Sequence, residues 1–379
     1  MKPLGIYLHI PFCIQKCRYC DFLSAPACGE VREAYLDALK REIASREGRL
    51  KDYQIHSLYI GGGTPSILSP EEFGEIARTL RAHTGIWMED AERTIEANPG
   101  TVTEEKAQAW RAWGMNRVSM GMQAAQNRLL QILGRIHTQA EVETSVKILR
   151  QAGFSNLNLD LMMGLPGQSL QDWRESLEQA VCLEPEHISC YSLILEEGTP
   201  LYEDVRAGRM SLPEEETDRE MYDLALRYLA KMGYRQYEIS NFTKPGYASR
   251  HNLSYWDLSE YQGIGLGAAS YREGRRLKNE ENLTAYIHAQ DPAALERVEE
   301  EASEKDAMEE WMFLGFRKTD GVRASEFEAR FHKKMWDVYG AALKKLKTEG
   351  LIVCQGDGAA LSRRGLDLAN IVFEEFLLD

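Results

Sequence analysis

This chain is poor in the features that mark export, membrane insertion and nucleic-acid binding. No apolar run reaches the ~20 residues that a membrane-spanning helix needs. No leader-like segment stands ahead of the first strand, since Met1-Lys2-Pro3-Leu4-Gly5 leads straight into it; the expectation is a cytoplasmic protein. Positive charge is scarce: 45 Lys and Arg against 59 Asp and Glu leave a net −14 over 379 residues. That sign disfavours broad contact with phosphate backbones or anionic lipid, so no nucleic-acid partner is expected. Cysteine is sparse and odd in number, at seven, which speaks against a disulfide framework. The remaining composition, 44% hydrophobic and 27% charged, is that of an ordinary globular chain long enough for two domains, or one large domain and an appendage.

Three of the cysteines are concentrated in one place. Cys13, Cys17 and Cys20 form C-x3-C-x2-C directly after the strand-like run Ile6–Ile10. Thiolates are the usual ligands of iron–sulfur clusters. A four-iron cluster takes four ligands and this loop offers three, so one iron keeps an open position for a substrate or cofactor. A zinc site would want a fourth ligand in a paired spacing; His9 is near but lies on the strand.

The first two thirds alternate short apolar runs with amphipathic segments. Strands are expected at Ile6–Ile10, Ser57–Ile60, Thr94–Ala97, Arg117–Met120, Leu157–Met162 and Ile188–Leu195. Helices are expected at Val31–Arg46, Pro70–Thr84, Thr103–Trp113, Thr138–Ala152, Ser169–Cys182 and Pro213–Met232. Ser69-Pro70-Glu71-Glu72 reads as a helix start, and Gly114, Gly153 and Gly233 as helix stops. Six βα units imply an α/β fold with a parallel sheet, a partial (β/α)6 barrel whose loops after the strands carry the chemistry. Another strand is expected at Tyr237–Phe242. The acidic run Glu296–Glu310 marks a boundary, giving a barrel with its extension over 1–295 and a C-terminal domain over 296–379. Helix Val338–Glu349, strands Leu351–Cys354 and Ala359–Leu361, and a last helix Gly365–Leu377 order that domain as a small winged-helix-like unit. Residues 302–379 hold 12 Lys and Arg against 14 Asp and Glu, so a packing or docking module is expected there rather than a DNA reader.

Polar residues sit at successive strand ends. Gly61-Gly62-Gly63-Thr64-Pro65 follows the second strand, where missing Cβ atoms let backbone approach a ligand. Glu96 ends the third strand, and a carboxylate there needs a polar partner. Gln123 and Arg135 follow the fourth strand, and Asp160 lies inside the fifth, as either a satisfied core group or a ligand contact. Cys182, Cys190 and Cys354 read as buried thiols.

Together, C-x3-C-x2-C, GGGTP, the strand-three Glu and Gly164-Leu165-Pro166-Gly167 resemble the radical S-adenosylmethionine (SAM) superfamily. Within it, Tyr7-x-His9-x-Pro11-Phe12-Cys13 resembles the oxygen-independent coproporphyrinogen III oxidase family, along essentially the whole chain. The resemblance implies a [4Fe–4S] cluster on Cys13, Cys17 and Cys20 that binds and reductively cleaves S-adenosylmethionine. Tyr7, Gly62 and Glu96 match that family's first cofactor site; Gly63, Thr64, Gln123, Arg135 and Asp160 match the surroundings of a second. The oxidase has a further cysteine two residues after the third, where this chain has Phe22, and a long N-terminal arm, where this chain has six residues before Tyr7. Both departures match the sister branch of heme chaperones. So does His251-Asn252-Leu253-Ser254-Tyr255-Trp256, in which a neutral imidazole suits heme iron and Tyr255 and Trp256 suit a porphyrin face; the same residues also suit plain packing at the barrel mouth. The resemblance thus implies heme as a cofactor, a heme donor, a membrane-associated acceptor and a homodimer. Its alternative is oxidative decarboxylation of coproporphyrinogen III.

Overall fold

The computed structural model describes residues 1–378. Six strands stand side by side in chain order, each parallel to its neighbours: β1 (Lys2–Ile10), β2 (Tyr53–Gly62), β3 (Ile86–Ala97), β4 (Arg117–Gln123), β5 (Leu157–Met163) and β6 (His187–Ser192). Their side chains alternate with the period of two that a strand imposes. One face is aliphatic: Leu4, Ile6, Leu8 and Ile10 of β1 and Leu157, Leu159 and Leu161 of β5 are buried in one large core with the flanking helices. The other face carries Tyr7, Ser57, Tyr59, Glu92, Glu96, Asn158 and Asp160, which bond to one another, to neighbouring strands and to a short helix. The crossover helices begin where the sequence places caps. Ser69–Glu72 and Ser169–Asp172 each satisfy two free N–H groups reciprocally, as capping boxes, and at Thr138 the Glu141 carboxylate accepts from the backbone N–H at 2.8 Å.

The sheet extends beyond the six units at both edges. Tyr261–Ile264 lies parallel to β1, and Ala269–Arg272, Arg275–Lys278 and Arg297–Glu301 follow antiparallel. Beyond β6 come Asn241–Thr243 and Arg235–Gln236, also antiparallel. The twelve strands form an open mixed sheet rather than a closed barrel.

Some elements differ from expectation for local reasons. β3 starts eight residues early, at Ile86, because Ile86 and Trp87 pair with Gln54 and Ile55 of β2, although this first half stays largely exposed and burial begins near Glu92. Tyr237–Phe242 is not one strand. Glu238 turns the chain by accepting the N–H of Ser240 at 2.8 Å, and pairing with β6 begins only at Asn241. The last helix divides into Arg363–Asp367 and Ala369–Glu374. Of the three cysteines expected inside, Cys190 is buried, Cys354 is half-buried and Cys182 is exposed.

A second core forms from the C-terminal segment, with Trp311, Phe316, Phe327, Tyr339, Leu343 and Phe376 at its centre. Helices Glu304–Gly315, Ala324–Phe331 and Met335–Thr348 pack beside a three-stranded antiparallel sheet of Val322–Arg323, Gly358–Leu361 and Ile352–Gln355, in winged-helix order. Leu258 and Tyr271 from the large sheet's extension join this core and weld the two parts together.

Candidate functional site

The loops at the C-terminal ends of β1–β5 surround a cavity of ≈ 350 Å³. Cys13, Cys17 and Cys20 line one side; Gly62, Gly63, Thr64, Glu96, Gln123, Arg135 and Asp160 line the rest. The expected mouth residues are therefore brought together, apart from Tyr7. That side chain lies deeper, its hydroxyl 2.9 Å from His9 Nδ1 and its ring stacked on Tyr59.

The cysteine loop is held by backbone on both flanks. Cys13 N–H donates to Ala25 C=O at 3.3 Å and Arg18 N–H to Leu133 C=O at 2.9 Å. Gln15 Nε2 reaches Gly134 C=O at 3.2 Å. The glycines after β2 are there for space. A Cβ on Gly63 would stand 2.6 Å from Phe12 C=O, and one on Gly62, at φ +110°, 2.5 Å from the His9 ring. The glycine loop thus presses directly against the start of the cysteine loop.

Glu96 faces the cavity between two donors, Tyr59 Oη at 2.8 Å and Gly62 N–H at 3.1 Å. Burial outweighs both and pushes its carboxyl up to about 7. Asp160 is likewise raised by burial, against hydrogen bonds from Asn158 at 2.7 Å and Ser119 at 3.3 Å. A cationic or hydroxylated ligand in the cavity would meet two carboxyls with unused acceptor capacity. Tyr59 and Asn98 also serve the site and were not singled out in the sequence. Their signals are present: Tyr59 shares a strand face with Ser57 and Gly61, and Asn98 follows Glu96 in β3's terminal turn.

The thiols suit a cluster better than a single ion. Among the described residues no three His, Cys, Asp or Glu side chains converge on one point, whereas each thiolate of a cluster meets a separate iron. Three thiols around the rim of a cavity with room for a cofactor fit a [4Fe–4S] cluster with one open iron.

His251, Tyr255 and Trp256 are not at this mouth. They lie on the helix Arg250–Trp256, toward the opposite end of the strands, where Ser57 and Gly5 are the neighbours. Glu92 of β3 holds that helix by its N-terminus, accepting the N–H of Arg250 at 3.0 Å and of His251 at 3.1 Å. The His251 ring is buried, with Nδ1 3.0 Å from Ser57 Oγ and Nε2 2.8 Å from Tyr255 Oη. It stacks on Tyr59 at 5.2 Å. Burial pushes its imidazole down to about 3. Tyr255 and Trp256 line a separate cavity of ≈ 290 Å³ with Tyr261, Tyr271 and Arg276. Arg317 covers the Trp256 ring at 4.4 Å, and the indole N–H is buried without a partner.

Comparison with known proteins covers both parts of the chain. Residues 7–180 match the radical SAM superfamily and residues 302–368 the HemN C-terminal domain. Heme chaperone HemW of Lactococcus lactis is 38% identical over 378 residues, covering 100% of this chain and 98% of that protein. Heme chaperone HemW of Escherichia coli is 33% identical over 387 residues, covering 100% and 99%. The structure of E. coli coproporphyrinogen III oxidase (HemN), described as a radical SAM enzyme, superposes with a TM-score of 0.86 at 22% identity, over 99% of this chain and 90% of that one. That likeness bears on the fold alone.

Proposed function

The chain belongs to the heme chaperone HemW family of radical SAM proteins, and from that premise we propose that it binds heme and delivers it to acceptor hemoproteins. The observation that carries this is the end-to-end identity with proteins named heme chaperones, which leaves no part of either chain unmatched beyond a few residues.

A [4Fe–4S] cluster and S-adenosylmethionine are the cofactors of this scaffold. In the proposal Cys13, Cys17 and Cys20 hold the cluster, which supplies an electron and an open coordination position. Gly62 and Glu96 face the first S-adenosylmethionine, Glu96 by offering an acceptor beside the glycine backbone, while Tyr7, matched to the same site, backs it from below through Tyr59. Gly63, Thr64, Gln123, Arg135 and Asp160 complete the wall of the cavity.

For heme the proposed contacts are His251, Tyr255 and Trp256. The lowered pKa keeps His251 neutral at pH 7, the form that binds iron. Nε2, which would bind the iron, is engaged by Tyr255 Oη one helical turn away, so the Tyr255 side chain would have to turn aside to free it. Heme then passes from a donor protein to a membrane-associated acceptor, the chaperone itself working in the cytoplasm as a homodimer. Among the described residues no helix is long and apolar enough to cross a membrane.

The test is an anaerobic titration of the reconstituted protein with heme, followed by absorption, with His251→Ala alongside. The expected result is saturable binding of one heme per chain, with an altered spectrum in the variant. Absence of saturable binding by cluster-loaded protein overturns the proposal.

A further inference from the structure

Arg135 ties the cysteine loop to the sheet. Its Nη2 donates to Asn98 Oδ1 at 2.7 Å, beyond the end of β3, and to Gly121 C=O at 2.8 Å, in β4. Its Nη1 points at Cys17 Sγ at 3.6 Å. Gly121 makes this possible, because a Cβ there would stand 2.9 Å from Nη2. The guanidinium forms no ion pair with a carboxylate among the described residues; the ionisable side chain it bonds is Cys17. Both terminal nitrogens are therefore engaged within the protein, one of them on a cysteine of the proposed cluster.

We infer that Arg135 is a positioning residue that donates an N–H···S hydrogen bond to the Cys17 thiolate and raises the reduction potential of the cluster. This rests on the cluster being held by Cys13, Cys17 and Cys20. A hydrogen bond and a positive charge at a cluster sulfur stabilise the reduced, more negative state over the oxidised one. The bonds to Asn98 and Gly121 fix the guanidinium in place, so that the donor meets the sulfur without reorganising. This role concerns the cluster's poise and differs from lining a second cofactor, which the family resemblance gives the same residue.

The experiment is a potentiometric titration of the reconstituted full chain, monitored by electron paramagnetic resonance of the reduced cluster, with iron and sulfide counted per chain. At the potential where wild type is half reduced, Arg135→Gln is expected to show at least a tenfold lower ratio of reduced to oxidised cluster, a shift of about 59 mV for one electron. Arg135→Lys keeps the charge without the planar fork and is expected to fall between the two. Asn98→Ala leaves the guanidinium but frees one anchor, and shifts the potential in the same direction by less. Fully loaded Arg135→Gln with a ratio within twofold of wild type overturns the inference. If Arg135→Gln loads poorly, loaded Asn98→Ala decides, and an unshifted potential there overturns it as well. Wild type that takes up no cluster removes the cluster reading and this inference with it. Heme binding is a separate readout and is not moved by any of these outcomes.

Discussion

Replacing Glu96 by Gln removes one ionisable proton from the wall of the cavity and changes stability in a pH-dependent way. The carboxyl titrates near 4.5 when unfolded and is pushed up to about 7 when folded, burial outweighing the donors Tyr59 and Gly62. Below pH 4.5 it is protonated in both states and costs nothing. Between the two values the unfolded chain has released the proton and the folded chain retains it, so stability falls as pH rises. Above pH 7 the deficit is complete. The difference of roughly 2.5 units amounts to about 3 kcal/mol, an upper bound because the carboxyl faces the cavity. Urea unfolding of the cluster-free chain, wild type against Glu96→Gln, is the assay. Other titrating groups largely cancel in the difference between the two proteins. The expected result is a variant that matches wild type at pH 4.5 to within about 1 kcal/mol and gains steadily on it up to pH 8. A difference that is flat between those values, or that shrinks as pH rises, refutes the argument. With Glu96 as the proposed S-adenosylmethionine contact, affinity measured from pH 6 to 8 is expected to rise more in wild type than in Glu96→Gln, and equal profiles would count against that contact.

Three further substitutions probe the site and the edge of the sheet. Gly63→Ala places a Cβ 2.6 Å from Phe12 C=O; the backbone there must yield, and reconstituted iron per chain is expected to fall by more than half while circular dichroism stays unchanged. Glu296→Ala removes a buried carboxylate that accepts from Arg46 at 2.9 Å and Arg272 at 2.8 Å. Three guanidinium groups, those two and the exposed Arg49, lose this partner; Arg46 keeps Glu42 but Arg272 keeps no carboxylate, and a loss of about 3 kcal/mol is expected in urea unfolding, whereas Arg275→Ala, at an exposed pair with Glu301, is expected to lose under about 1 kcal/mol.

The parallel strands and their crossover helices were legible because burial on one face writes a regular pattern of Leu and Ile, and because capping residues mark where helices start. The mouth was legible because its chemistry follows the strand ends: cysteines after β1, glycines after β2, Glu96 in β3. The harder parts depend on tertiary partners. Ile86–Arg93 reads as polar and becomes strand because the long β2 offers it a partner from Gln54 to Leu58. Tyr261–Ile264, within a glycine-rich stretch, becomes a strand because β1 offers it an open edge. The position of His251 was not readable: nothing in His-Asn-Leu-Ser-Tyr-Trp tells which end of the sheet the helix will cross, and the expectation of a mouth residue gives way to a ring enclosed by Ser57, Tyr59 and Tyr255.

β3 carries two carboxylates on one face, Glu92 gripping the motif helix and Glu96 looking into the cysteine-lined cavity. Four residues of extended chain set them about 13 Å apart. The strand is in this sense a ruler with one mark at its middle and one near its end, and its hydrogen-bonded neighbours forbid it to slide. A one-residue slip in register turns both marks away from their targets at once. The spacing between the proposed heme ligand and the cofactor cavity is thus fixed by the backbone of a single strand, and a change at either place is felt against a distance the other cannot adjust.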